Sequence, residues 1–215
     1  MILWHFFIRA FFRLLYHELA WTYDLVAWLV SFGQWQAWAS AALPRLQGKR
    51  VLELAHGPGH LLVDMQRAGF APVGLDLSPQ MGRLAHTRLR RARLDVPLVR
   101  ARAQAVPFRA GAFDSIVSTF PTEFIVDPNT LTEAARLIKP EGKIIVVPGV
   151  VFGRGLAARA LEWLYTITGQ QEPEPPGIAD ALAQAGLTLE REREPMGPVD
   201  VLIAVATKPS SAAYG

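Results

Sequence analysis

A glutamate, Glu53, stands just ahead of a bend containing Gly57 and Gly59 in the stretch "VLELAHGPGHLLVDM" (51–65). A glycine bend between a strand and a helix lets backbone N–H groups approach a polar or anionic ligand closely. A pyrophosphate site wants G-x-G-x-x-G, but Leu62 occupies the place of the third glycine, and Glu53 would repel a nearby phosphate. No Gly-Lys-Ser/Thr follows, which excludes a P-loop. A second carboxylate, Asp76, ends the next strand candidate in "VGLDLSPQM". Two acids at neighbouring strand ends suit a ligand with ribose hydroxyls and an ammonium and no phosphate, because both contacts gain from charge-assisted hydrogen bonding. An adenosyl amino acid meets that description. Asp76 then accepts from the ribose hydroxyls; its alternative is to cap the helix starting near Pro79.

The histidines offer a different chemistry. His56 lies inside the bend, and a pKa near neutrality suits a base if an acceptor must lose a proton. Its alternative is to shape the loop through its backbone while the ring packs away from the ligand. His60 opens the following helix and reads as a first-turn residue. Glu123, just after the fourth strand candidate, is a further polar candidate. No metal site is expected from the spacing of these groups, and the absence of cysteine rules out disulfides and thiolate chemistry.

These residues need rigid elements beneath them. From Arg50 onward, β-rich runs alternate with helix-length segments, the signature of a parallel sheet with crossover helices. Strands are expected over Val51–Leu54, Pro72–Leu75, Pro97–Ala101, Ser115–Ser118 and Lys143–Val147. Helices are expected over Gly59–Ala68, Pro79–Arg91 and Asn129–Ile138, the last capped by Asp127 with Pro128 in its first turn. A helix over Leu156–Thr168, the loop "GQQEPEPPG", a short helix over Ile178–Ala185 stopping at Gly186, and a closing antiparallel hairpin around Pro195-Met196-Gly197-Pro198 complete the pattern. Helices are also expected at Tyr23–Val30 and Gln34–Leu46. The uncharged run from Leu25 to Pro44 reads as these two helices broken at Ser31-Phe32-Gly33, and not as a membrane span.

With these motifs in order, the chain resembles the class I S-adenosylmethionine-dependent methyltransferases. "VLELAHGPGH" stands where that family writes an acid followed by spaced glycines, with Ala55 in place of the first. "GLDLSPQM" resembles its second motif, "AQAVPFRAGAFDSIVSTF" its third and fourth, and "EAARLIKPEGKIIVV" its fifth-strand unit. The resemblance implies an α/β fold: a Rossmann-like, mostly parallel sheet with an antiparallel last strand, preceded by N-terminal helices. It also implies S-adenosyl-L-methionine as cofactor, with Glu53, Ala55, Gly57 and Gly59 on the methionyl side and Asp76 with Leu77 at the ribose. Ala103 and Gln104 would flank the adenine, and Ser118 would lie beside the sulfonium. Arg102 stands where many relatives carry an acid for the adenine amino group. Tyr23 joins His56 and Glu123 as a catalytic candidate, because the family recruits aromatics from N-terminal helices to cover the cofactor.

At 215 residues, 51% apolar and 19% charged, the chain can bury a core of its own. Residues 49–209 form the expected cofactor-binding domain, 210–215 a flexible tail, and 1–48 a helical segment. In residues 2–20, His5, Arg9, Arg13 and His17 recur at every fourth position and form one narrow stripe against a broad apolar, aromatic face. Such a helix fits a membrane interface; a lid or dimer helix buried in protein is the alternative. "YDLVAWLVSFGQWQAW" with "LELAHGPG" resembles the ubiquinone/menaquinone C-methyltransferases, and phospholipid N-methyltransferases share the layout. That resemblance implies a small, lipophilic, quinone- or lipid-like acceptor and a cytoplasmic protein peripheral at the inner face of the membrane. A soluble small-molecule methyltransferase with a helical lid and a non-catalytic binding module are the alternatives. The run of arginines from Arg83 to Arg102 reads as a solvated face, and no nucleic-acid partner is expected, since that run lacks interleaved aromatics.

Overall fold

The computed structural model describes residue 31, residues 33–152 and residues 178–210. The stripe at 2–20, Tyr23, the helix expected at 156–168 and residues 211–215 of the tail lie outside the described residues. The strands are β1 (Arg50–Leu54), β2 (Ala71–Asp76), β3 (Leu98–Arg100), β4 (Phe113–Thr119), β5 (Ile138–Phe152), β6 (Thr188–Met196) and β7 (Val199–Thr207). The helices are α1 (Trp35–Ser40), α2 (His60–Arg67), α3 (Pro79–Ala92), α4 (Pro128–Leu137) and α5 (Ile178–Gln184).

The strands form one sheet in the order β3-β2-β1-β4-β5-β7-β6. Neighbours from β3 to β5 run parallel, while β7 is antiparallel to both β5 and β6. This is the mostly parallel, Rossmann-like sheet with a reversed final strand that the resemblance implies. β1 lies near the centre and buries Val51, Leu52, Glu53 and Leu54 in succession, as a parallel strand covered on both faces must. One core packs α1, α2 and Leu89 of α3 on one face of the sheet. The other packs Leu131, Ala134 and Leu137 of α4 with Leu182 of α5 on the opposite face.

Local chemistry accounts for the helix boundaries. Ser78 caps α3 by accepting from the Met81 N–H, with Pro79 at the first position. Asp127 caps α4 through the Asn129 N–H, as expected. The expected helix over Gln34–Leu46 is shorter: α1 stops at Ser40, and a 3-10 turn, Leu43–Arg45, carries Pro44, which lacks the N–H a continuing helix requires. β5 is longer than expected. Its regular pairing with β4 begins at Lys143, and it continues past Pro148 through a register shift against β7 to reach Phe152. The hairpin closes with Met196 opposite Val199 and with Gly197 at φ 66 in the first turn position, where glycine is favoured.

Candidate active site

The site forms where β1, β2 and β4 end together. Glu53 pairs with Gly74 of β2 and Val117 of β4, so the residues after Leu54, Leu75 and Ser118 emerge at one edge of the sheet. Open α/β sheets take ligands beyond the carboxyl ends of their strands. The β1–α2 loop crosses this edge in left-handed steps at Ala55 (φ 55), Gly57 (φ 52) and Gly59 (φ 80). Gly59 is required twice over: a Cβ there would also sit 2.9 Å from Ala85 Cβ and 3.2 Å from Ala85 Cα, where α3 packs against the loop. Ala55 holds the same kind of conformation with a side chain, a local strain of the sort that concentrates at ligand sites.

Asp76 does two things at the end of β2. Its Oδ2 accepts from the Gly57 N–H at 2.9 Å, and its Oδ1 accepts from the Ser78 N–H at 2.8 Å. The capping alternative thus falls to Ser78, leaving Asp76 to brace the glycine loop, and each of its oxygens keeps a second acceptor position. Asp76 also lines an open cavity of about 600 Å³ with His56, Arg83, His86, Leu98 and Arg100.

Glu53 is the unusual group. It is only 2% exposed, and among the described residues its Oε2 has no hydrogen-bond partner. Burial drives its carboxyl well above the usual value, and the charges of Asp76 and Asp64 push it further. Asp64 is itself tied to α1, accepting from Gln36 Nε2 and Ser40 Oγ. A buried acid left without a donor at a ligand edge fits a ligand that brings a cationic donor with it.

The other expected residues fall in several places. Leu77 is exposed and projects from the end of β2. Ala103 is buried in the second core, and Gln104 donates from Nε2 to Asp127 Oδ2 at 3.1 Å, so this turn is fixed from α4. Arg102 is exposed. Ser118 faces inward: its hydroxyl donates to the Leu54 carbonyl at 2.8 Å, tying β4 to the end of β1 instead of offering a free donor. Glu123 opens a short 3-10 turn, Glu123–Val126, and is exposed. His56 is buried beside β2. Its ring is 5% exposed, its Nδ1 lies 2.7 Å from the Gly57 carbonyl, and its Cδ2 packs over Gly74. That placement sets its ring against the glycine loop, in the lining of the cavity shared with Asp76. Burial lowers its pKa, partly opposed by the Asp76 charge and its backbone hydrogen bond. Among the described residues no group of His, Asp and Glu could hold a metal ion.

Two features escaped sequence reasoning. Phe120, just past β4, holds φ 49 and stacks on Trp35 of α1 with ring centroids 3.9 Å apart, forming an aromatic wall beside the edge. Gly74 carries no motif signal, yet a Cβ there would meet His56, Leu62 and Leu98 within 3 Å.

Comparison with known proteins agrees with this geometry. Residues 51–142 match the methyltransferase domain family model. The chain is 34% identical over 139 residues to a demethylmenaquinone methyltransferase of Thermus thermophilus, covering 62% of this chain and 63% of that protein. It thus spans less than two thirds of the length of the curated relatives it matches. Among solved structures, geranyl diphosphate C-methyltransferase from Streptomyces coelicolor, determined with S-adenosyl-L-homocysteine, superposes with a TM-score of 0.63 at 15% identity, covering 80% of this chain and 75% of that one. Phosphoethanolamine N-methyltransferase 2 of Haemonchus contortus, determined with S-adenosyl-L-methionine, superposes at 0.59 with 18% identity, covering 83% of this chain and 53% of that one. The sheet order with its reversed final strand and the paired acids at the strand ends agree with the match of residues 51–142 to the methyltransferase domain family.

Proposed function

We propose that the protein transfers a methyl group from S-adenosyl-L-methionine to a small, lipophilic acceptor of quinone- or lipid-like chemistry. The observation that carries the cofactor reading is Glu53, a fully enclosed carboxyl with an orphaned oxygen beside a left-handed glycine loop. An ammonium would give that oxygen its missing donor and stabilise its ionised form. Asp76 would accept from the ribose hydroxyls with its remaining lone pairs. The exposed Leu77 would pack against the adenine, beside Ala103 and Gln104. Ala55, Gly57 and Gly59 would keep the loop free of bulk next to the methionyl group, and Ser118 would support the site by holding β4 against β1.

The bound cofactor supplies an electrophilic methyl group on a sulfonium. The chain then needs to hold an acceptor in line and exclude water, and positioning of this kind lowers the barrier strongly. Trp35 and Phe120 offer a flat apolar surface for that purpose, and Glu123 and Tyr23 are the polar groups proposed to face the acceptor. The quinone-related relatives named above support a lipophilic acceptor, as does the aromatic face of residues 2–20, which would rest on a membrane surface.

Isothermal titration calorimetry with S-adenosyl-L-methionine tests the cofactor assignment. Saturable binding that drops about tenfold or more in Asp76→Ala, as expected when an ionised hydrogen-bond partner is lost, supports it. An absence of binding by the wild type, or equal binding by the variant, overturns it. For the acceptor, an extract incubated with labelled methyl donor should yield a labelled lipid-soluble species; label confined to water-soluble products would overturn that part of the reading.

A further inference from the structure

We propose that His56 is a positioning residue which, together with Asp76, locks the two peptide planes on either side of Gly57 and so presents the glycine loop to the cofactor. This rests on the cofactor assignment above, but the clamp itself belongs to the free protein.

The geometry is specific. The peptide joining His56 to Gly57 is held by its N–H, which donates to Asp76 Oδ2 at 2.9 Å. The peptide joining Gly57 to Pro58 has no N–H, because proline supplies its nitrogen, so only its carbonyl can be held. That carbonyl accepts from His56 Nδ1 at 2.7 Å. Gly57 itself has nothing within 4 Å of where a Cβ would be, so packing does not fix its left-handed conformation (φ 52). Glycine takes either sign of φ with similar ease. Without the clamp, rotation at Gly57 would turn the carbonyl toward the ligand edge, beside Glu53 and Asp76, and present negative dipole where backbone donors are needed.

His56 is built into place for this task. A Cβ on Gly74 would lie 2.8 Å from His56 Cδ2, so a bare position on β2 makes room for the ring. The ring is 95% enclosed by its 5% exposure, and its own N–H donates to the Leu75 carbonyl, which anchors the residue to β2. A carbonyl oxygen can only accept, so Nδ1 must carry the proton, and the neutral ring leaves Nε2 bare. Among the described residues Nε2 has no protein partner; the ring lines the cavity shared with Asp76, Arg83, His86 and Arg100. The next carbonyl, of Pro58, is held in turn by Arg88 Nη1 of α3, so the loop is fixed at successive peptides from two different elements.

The test combines the free protein with cofactor binding. In the free protein at neutral pH, ¹⁵N NMR of the His56 imidazole should show Nδ1 protonated and Nε2 bare. Calorimetry with S-adenosyl-L-homocysteine should show His56→Leu, which keeps the apolar bulk, binding about tenfold more weakly, the scale of one hydrogen bond. His56→Asn, whose amide nitrogen stands where Nδ1 stood, should bind within about threefold of wild type. A merely structural role would be set by bulk and would not be rescued by asparagine. A ring protonated on Nε2, wild-type affinity in His56→Leu, or an equal loss in His56→Asn each overturns the clamp. Failure of the wild type to bind at all overturns the cofactor assignment instead, and the NMR measurement then decides the clamp alone.

Discussion

Glu53 sets the sign of the acid–base behaviour at the residue scale. Its carboxyl is held well above its ordinary value of 4.5, first by burial and then by Asp76 and Asp64. As pH rises past 4.5 the unfolded chain releases a proton that the folded chain retains, so stability falls with pH until the folded value is passed. Glu53→Gln removes this cost. At pH 8 it should raise Tm by about 2–4 °C, corresponding to roughly 1 kcal/mol at this chain length. At pH 4 the difference should close, which thermal melts at the two pH values would check. The same variant should bind S-adenosyl-L-methionine about tenfold more weakly, having lost the charge that answers an ammonium. The pattern is a group that weakens the fold in order to serve a ligand. The sequence reveals the acid by its place before the glycines. That its oxygen is orphaned, and that Asp64 presses on it, depends on α1 and α2 crossing above β1 and has no sequence signal.

At the element scale, the start of the central strands depends on Asp114. Its Oδ2 accepts from the backbone N–H groups of Lys49 (2.9 Å) and Arg50 (2.8 Å), and Lys139 pairs with its Oδ1. Partial burial pulls its pKa up, but Lys139 and the two amides outweigh that and hold it below the usual value. The stability it contributes is present above its ordinary value of 3.8 and is lost as pH falls through the lower folded value. Asp114→Ala should cost about 1–3 kcal/mol in urea unfolding at pH 7, with little change in cofactor affinity, since it lies at the opposite edge of the sheet from the glycine loop. A loss that persists undiminished below the folded pKa would contradict this electrostatic origin. Capping chemistry made α4 legible in the sequence, through Asp127 with Pro128, whereas for α3 the sequence offered Asp76 as a possible cap and the structure gives that role to Ser78. The reach of β5 was not legible, because Pro148 and Gly149 signal a stop, and only pairing with β7 carries the strand beyond them.

The whole molecule joins a cofactor edge to a segment outside the described residues. At the start of α1, Trp35 stacks on Phe120. No helix among the described residues is long and apolar enough to cross a membrane. If residues 2–20 lie in a membrane interface, the full chain should co-sediment with anionic liposomes and a form lacking residues 1–20 should remain in the supernatant. Equal pelleting of both forms would defeat this and favour a lid. The exposed arginines of α3, Arg83, Arg90 and Arg91, would add an attraction that weakens as salt is raised.

By itself the sequence determined the order of strands and helices, the reversed closing hairpin, the glycine loop and the two acids, because periodicity, caps and turns act over a few neighbouring residues. It also excluded phosphate as the ligand, since a carboxylate next to the bend is legible as a charge wherever the chain goes. Tertiary structure alone decided the functional states of these groups. Burial and two distant acids set the protonation of Glu53, a bare position on β2 turned the His56 ring onto the Gly57 carbonyl, and Leu54 took the hydroxyl of Ser118. Those outcomes depend on which surfaces meet across the sheet and on how much water they exclude, quantities that no local run of residues contains.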